Sequence, residues 1–226
     1  MTVSNQLNEL VEKARKDGWA DGVCSTETLE YQTWGRAYTT VAGRSLKGGF
    51  EVLRPTGTEQ AEKRSLSAVY GRGQQPLHTD GAHLAEPPDL VILAVAKPTP
   101  VPTLLWRHID MVEGLSELDE DIRHGLFTID DGKEVHLAPA RTGWTKETAR
   151  IRFDPGCMEP ADSRARRVLK HFETALKSAT QFEWAKPDQV LVIDNRNVLH
   201  ARADSEHDPD REMQRLMLRL NQKSSS

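Results

Sequence analysis

Cysteine is nearly missing from this chain: of 226 residues only Cys24 and Cys157 carry a thiol. Two are too few for a disulfide framework, and a reducing compartment would keep both as thiols in structural roles. For Cys157, beside Met158, a small buried core residue is the default and a place in a pocket wall the alternative. An excess of basic charge is missing as well. Thirty Lys and Arg stand against 34 Asp and Glu, a net charge of −4 with histidines neutral, so the electrostatic footprint of a nucleic-acid binder is absent. No apolar run approaches the roughly 20 residues needed to cross a bilayer. The start, Met1-Thr2-Val3-Ser4-Asn5-Gln6, lacks the basic and then apolar segments of a leader. These absences predict a cytoplasmic protein whose partner is a small-molecule substrate, not a nucleic acid or a membrane. They leave the oligomeric state open.

What is present is enough chain for one domain with a sizeable core, and short for two. Residues 1–226 read as a single domain, with an N-terminal helix over 1–18 and a disordered tail over 222–226. Leu7, Leu10, Val11 and Ala14 recur at helical spacing, and Gly18 stops the pattern. Strands are expected near Phe50–Leu53, Leu66–Tyr70, Leu90–Ala96, Thr103–Trp106 and Phe127–Leu137, between Gly- and Pro-containing turns. Met111, Val112, Leu115 and Leu118 suggest a helix over about 110–125. A second helix over 161–180 puts Val168, Leu169, Phe172 and Leu176 on one face, with Arg164, Arg166, Lys170 and Lys177 on a solvated one. The class is therefore β-rich (α+β) with flanking helices.

One constellation points to chemistry. In Gln75-Pro76-Leu77-His78-Thr79-Asp80-Gly81 an imidazole and a carboxylate sit at i and i+2, which extended chain places on the same face. Far downstream, Val190–Ile193 reads as a buried strand, Asp194-Asn195-Arg196-Asn197 as a polar turn, and Val198-Leu199-His200 as a return strand carrying a third donor. Two imidazoles and one carboxylate can occupy one face of a six-coordinate ferrous ion and leave three positions open. Arg211 and Arg215 follow; a guanidinium is a planar fork suited to a carboxylate. Alone, a His-X-Asp triplet is a weak signal, and a solvated surface charge is the plain alternative for Arg211.

Taken together, Leu77-His78-Thr79-Asp80-Gly81-Ala82 with Pro87-Pro88-Asp89, Arg152-Phe153-Asp154-Pro155-Gly156-Cys157-Met158, and Asp194-Asn195-Arg196 followed by Val198-Leu199-His200 and Arg202 resemble the taurine dioxygenase and clavaminate synthase-like family of iron(II)- and 2-oxoglutarate-dependent oxygenases. The resemblance spans roughly Ser65–Leu220. It implies a double-stranded β-helix, or jelly roll, core. It further implies that His78, Asp80 and His200 bind Fe(II), that Arg211 pairs with the distal carboxylate of 2-oxoglutarate, and that Thr103 assists it. Pro100-Val101-Pro102-Thr103 stands where the family carries Gly-Gly-X-Thr. Arg215 matches an arginine that contacts anionic substrates in related enzymes; a structural ion pair is its alternative. Arg152 is a second candidate for a substrate anion. The implied reaction uses O2 and 2-oxoglutarate, releases succinate and CO2, and hydroxylates a small, polar, amino-acid-like metabolite. Desaturation, cyclisation and epoxidation are alternative outcomes of the same oxidising chemistry. Asp80 argues against halogenation, because halogenating members carry a small residue there. A zinc hydrolase using the same three ligands and a non-catalytic module binding metal or 2-oxoglutarate remain as other readings. His83, His108, His124 and His136 read as surface or core histidines, with His83 the spare ligand; Trp106 and Trp144 are candidates for the pocket wall or the core.

Overall fold

The structure, a computed structural model, describes residues 6–34, 37–42, 49–63, 65–108, 116–143 and 148–221. The chain opens with α1 (Gln6–Asp17), β1 (Trp19–Val23), α2 (Thr26–Thr33), β2 (Tyr38–Val41), β3 (Glu51–Leu53) and α3 (Leu66–Tyr70). Next come β4 (Leu90–Val95), β5 (Thr99–Arg107), α4 (Glu117–His124), β6 (Leu126–Asp130), β7 (Val135–Pro139), β8 (Arg141–Thr142) and β9 (Arg150–Ile151). It closes with β10 (Met158–Pro160), α5 (Ser163–Ala175), β11 (Thr180–Trp184), β12 (Gln189–Asp194), β13 (Val198–Arg202) and β14 (Met213–Leu220).

Two antiparallel sheets make the double-stranded β-helix. The larger runs β1-β12-β4-β14-β2, with β3 also paired to β14; the smaller runs β11-β5-β13. Alternation sorts the side chains of the central strands. Val91, Leu93 and Val95 of β4, Leu191 and Ile193 of β12, and Met213 and Met217 of β14 meet Leu105, Trp184 and Val198 of the smaller sheet in one apolar cluster. The intervening Leu90, Ile92, Ala94, Val190, Val192, Leu216 and Leu218 face outward and are covered by Leu7, Leu10, Val11 and Ala14 of α1 and Leu29 of α2. The helical spacing read at the amino terminus is thus the face that seals the larger sheet. The outer face of the smaller sheet, through Leu104, Leu199 and Ala201, packs against Ile122 of α4, Ala165, Val168 and Phe172 of α5, and Phe127 and Ile129 of β6. Both helix starts are capped: Ser116 forms a capping box with Asp119, and Asp162 accepts the Ala165 N–H at 2.7 Å.

Several boundaries differ from the sequence-based expectation. Leu66–Tyr70 is not a strand but one short helix, because Ser65 caps its start by accepting the Ala68 N–H and Gly71, at φ +52°, ends it. The helix expected over 161–180 stops at Ala175, a 3-10 turn covers Leu176–Ser178, and Thr180 already belongs to β11. Leu118 packs beside the core as expected, whereas Met111, Val112, Leu115, Trp144 and the tail 222–226 lie outside the described residues. Pro100 and Pro102 sit inside β5, a central strand, although proline cannot donate to a ladder. The ladder accommodates them: Pro102 turns its carbonyl to the β13 side, where it accepts the Ala203 N–H at 3.3 Å, and β13 stops pairing with β5 at Thr103, opposite Arg202. Among the described residues, no helix is long and apolar enough to cross a membrane.

Candidate metal centre

His78 and Asp80 lie on the connection between α3 and β4. His78 and His200 exchange both backbone hydrogen bonds, each 2.9 Å, as an isolated antiparallel bridge beyond the edge of β13. That bridge sets the two imidazoles side by side, with ring centroids 4.5 Å apart. Donor atoms of His78, Asp80 and His200 lie within 4.8 Å of one another, and all three side chains are buried. His200 Nε2 is 3.4 Å from Asp80 Oδ2. This gathering is close to what three ligands with metal bonds of about 2 Å need. His78 Nδ1 lies 3.0 Å from the Pro76 carbonyl oxygen. Donation there fixes the tautomer and leaves Nε2 for a metal. Burial, and then the neighbouring His200, press His78 toward its neutral form, which is the form that ligates.

The chain holds this segment from three directions. Thr79 donates its N–H to the Phe153 carbonyl at 2.7 Å, while its hydroxyl accepts the Phe153 N–H at 3.0 Å. Asn195, 1% exposed, accepts the Asp80 N–H at 3.1 Å and donates to the carbonyls of Asp80 and Pro88 at 3.1 and 2.9 Å. Gly81 has φ +69°, and a Cβ there would fall 2.6 Å from Pro88 Cδ. A tight turn pressed against a proline therefore requires glycine directly after Asp80.

The three candidate ligands open onto a cavity of about 600 Å³, whose wall also includes Glu51, Asp154, Thr103, Arg202, Arg211 and Arg215. Arg211 is 7% exposed and, among the described residues, forms no ion pair; its guanidinium donates to Met213 Sδ at 3.8 Å, and its Nε is buried without a partner. Burial, followed by the like charge of Arg202 and only partly offset by the carboxylate of Asp208, lowers its pKa to about 10, so it stays cationic at neutral pH. A buried cation without a carboxylate is costly unless a ligand supplies one. Thr103, on β5, lines the same cavity, and its Oγ accepts the Trp184 indole N–H at 3.0 Å, which leaves the hydroxyl hydrogen free to be donated.

Arg215 also lines the cavity but is engaged. Its guanidinium donates to Asp80 Oδ1, and at 2.8 Å to Glu51 Oε2. Burial acts to raise the Asp80 pKa, yet the Arg215 charge and the two histidines prevail and hold that carboxyl well below the usual range. Arg152 lies off the cavity wall. Buried at 8% exposure, it donates to the Ala85 carbonyl at 2.8 Å and lies 3.4 Å from His136 Nε2, where it braces the segment after Gly81. Its place in the sequence, between a buried strand end and Phe153, carries no sign of which way it turns. Among the other histidines, His83 lines the cavity outside the three-donor cluster, His124 meets Glu120 at 3.3 Å on one helix face, and His108 lies 4.0 Å from Asp119. Trp106 packs edge-on against Phe172 in the outer core, and Cys157 is buried in the same cluster.

Sequence reading passed over Thr79, Asn195, Glu51 and Asp154. Thr79, Asp154 and Asn195 stand inside the family motifs, so their position was a usable signal; Glu51 had none.

Residues 120–217 match the family model described as taurine catabolism dioxygenase TauD, TfdA family. The segment includes His200, Arg211 and Arg215 but not His78 or Asp80. No curated protein matches the chain in sequence. Among solved structures it is similar to asparagine oxygenase in complex with Fe(II), (2S,3S)-3-hydroxyasparagine and succinate, at 16% identity and a TM-score of 0.70 over 96% of this chain and 79% of that one. It is similar to the non-heme iron oxygenase OrfP in complex with Fe and alpha-ketoglutaric acid, at 15% identity and a TM-score of 0.66 over 96% and 79%. PvcB from Pseudomonas aeruginosa gives 16% identity and a TM-score of 0.64 over 96% and 80%. The family match thus covers part of the chain, and the fold over nearly all of it is similar to that of asparagine oxygenase and OrfP.

Proposed function

We propose that this protein oxidises a C–H bond of a small amino-acid-like metabolite, with Fe(II) held by His78, Asp80 and His200 and with 2-oxoglutarate anchored by Arg211 and Thr103. The observation that carries this reading is Arg211: a buried guanidinium that forms no ion pair among the described residues, on the wall of the same cavity as a His-Asp-His cluster. A zinc hydrolase has no use for such a cation, whereas a dicarboxylic cosubstrate needs one at its far end. Bound there, ferrous iron with 2-oxoglutarate and O2 would supply an oxidant able to attack an unactivated C–H bond, with release of succinate and CO2.

The rest is the work of the chain. The His78–Pro76 contact would leave the other imidazole nitrogen for the metal, and Asn195 and Thr79 hold the backbone on either side of Asp80. Thr103 can donate its hydroxyl hydrogen to the carboxylate that Arg211 binds. Asp154, also on the cavity wall, takes the Gly156 N–H on Oδ1 at 2.8 Å and is suited to the ammonium of an amino-acid-like substrate. Hydroxylation is the favoured outcome, since complexes of the similar asparagine oxygenase and OrfP hold 3-hydroxyasparagine and (3S)-hydroxy-L-Arg.

The test is an anaerobic titration of the iron-loaded protein with 2-oxoglutarate, following the weak visible charge-transfer absorption of cosubstrate chelated to ferrous iron. The band should appear, vanish in His200→Ala and need far more cosubstrate in Arg211→Ala. Bound iron without a band would overturn the proposal in favour of a hydrolase or a non-catalytic module.

A further inference from the structure

The pairing of Arg215 with two carboxylates at once is set by backbone register. β3 runs antiparallel to β14 with Glu51 directly opposite Arg215, so the two side chains leave the same face of the sheet as neighbours. Arg215 then reaches past Glu51 to Asp80. The side chains of Arg215, Glu51 and Asp80 are 21%, 15% and 7% exposed, so little water screens the three charges.

Because Glu51 and Asp80 share one guanidinium, the pull of Arg215 on the ligating carboxylate is divided. A guanidinium already holding two carboxylates is also poorly placed to take a third from a substrate.

We propose that Glu51 is a positioning residue of the metal centre: held across the β3–β14 pair, it secures Arg215 as a brace for the Asp80 carboxylate, so that Arg215 serves the metal ligand and not an anionic substrate. The inference rests on His78, Asp80 and His200 being the iron ligands.

The experiment is the Fe(II) affinity of the purified protein under anaerobic conditions, without cosubstrate, for the unaltered chain, Glu51→Gln, Arg215→Met and the double variant. Glu51→Gln should weaken binding about tenfold, equivalent to about 1.4 kcal/mol, while in the Arg215→Met background the same change should alter affinity less than about twofold, because the link to Asp80 is gone. Equal weakening in both backgrounds, or none in either, overturns the proposal. Arg215→Lys is the companion variant should Glu51→Gln not fold: a single ammonium cannot brace both carboxylates as a planar fork does, so its Fe(II) affinity should also fall about tenfold, and unchanged affinity refutes the brace. An unaltered protein that binds no Fe(II) would overturn the metal reading and this inference with it; intact binding without coupling removes only the role of Glu51.

Discussion

Asn195 offers the sharpest test of how the fold builds the site. Its carboxamide satisfies three buried backbone groups: the N–H and the carbonyl of Asp80 at 3.1 Å each, and the carbonyl of Pro88 at 2.9 Å. Replacing it with alanine removes one acceptor and both donors, and at 1% exposure water has no access to substitute for them. A buried group left unsatisfied costs about 1–3 kcal/mol, so three of them, partly relieved by relaxation, should destabilise the protein by roughly 3–5 kcal/mol. That is a large part of the total stability of an ordinary domain, about 5–15 kcal/mol. Urea denaturation of the metal-free protein, followed by tryptophan fluorescence, measures the change. Fe(II) affinity should fall in parallel, since both backbone groups of Asp80 lose their holder. Asn197→Ala is the control from the same turn: it gives up one hydrogen bond, from Asn197 Nδ2 to Asp194 Oδ2 at 2.7 Å, and should cost about 1 kcal/mol with metal affinity unchanged. An Asn195→Ala loss below about 1 kcal/mol, together with native metal binding, would refute the argument that this carboxamide fixes Asp80.

Three further outcomes are expected. Arg211→Ala should leave Fe(II) affinity within about twofold and weaken 2-oxoglutarate roughly 100-fold, because a charge-assisted contact to a buried carboxylate contributes on the order of 2–3 kcal/mol; calorimetric titration with unchanged cosubstrate affinity would remove Arg211 from this role. Gly81→Ala should lower stability by about 2 kcal/mol or more, from the left-handed backbone alone about 1–2 kcal/mol and from the contact with Pro88 in addition, read as a drop in thermal midpoint together with weaker metal binding. His108 supplies a pH signature: burial, then the charge of Arg141, lower its pKa from 6.5 to about 4. Between those values the unfolded chain takes up a proton that the folded chain refuses, so the stability present above pH 6.5 is lost as pH falls toward 4, by up to roughly 2–3 kcal/mol. Denaturation at pH 7 and pH 4.5 should show the stability difference between the unaltered protein and His108→Gln shrinking by about 2 kcal/mol, and a constant difference would refute the assignment.

Legibility in the sequence followed the range of the interaction. α1 was readable because one face of Leu7, Leu10, Val11 and Ala14 has a single thing to do, cover the outward side of β4, β12 and β14. β4 and β12 were readable as apolar runs because both of their faces are buried. Leu66–Tyr70 misled because five apolar-rich residues have no period to measure; a serine cap and a left-handed glycine decide the matter. Pro100 and Pro102 likewise argue against a central strand, and β5 runs through them because β13 stops pairing with it at Thr103.

The same logic separates the parts of the metal site. His78 and Asp80 are neighbours at i and i+2, so their convergence is local and visible, and His200 is delivered by a hairpin-like turn between two recognisable strands. The direction of Arg152 and Arg215, by contrast, depends on partners far away in sequence: Arg215 on Glu51, 164 residues earlier, and on Asp80, 135 residues earlier; Arg152 on Ala85, 67 residues earlier. Two arginines with equal claims from sequence on a substrate anion therefore end in different work, one bracing a candidate ligand and one bracing the loop behind it, while Arg211, which pairs with no carboxylate among the described residues, is left as the cation with charge to offer a ligand. What distinguishes a binding arginine from a structural one is the count of carboxylates and carbonyls within its reach, and that count is settled by strand pairing and not by the residue or its neighbours in the chain.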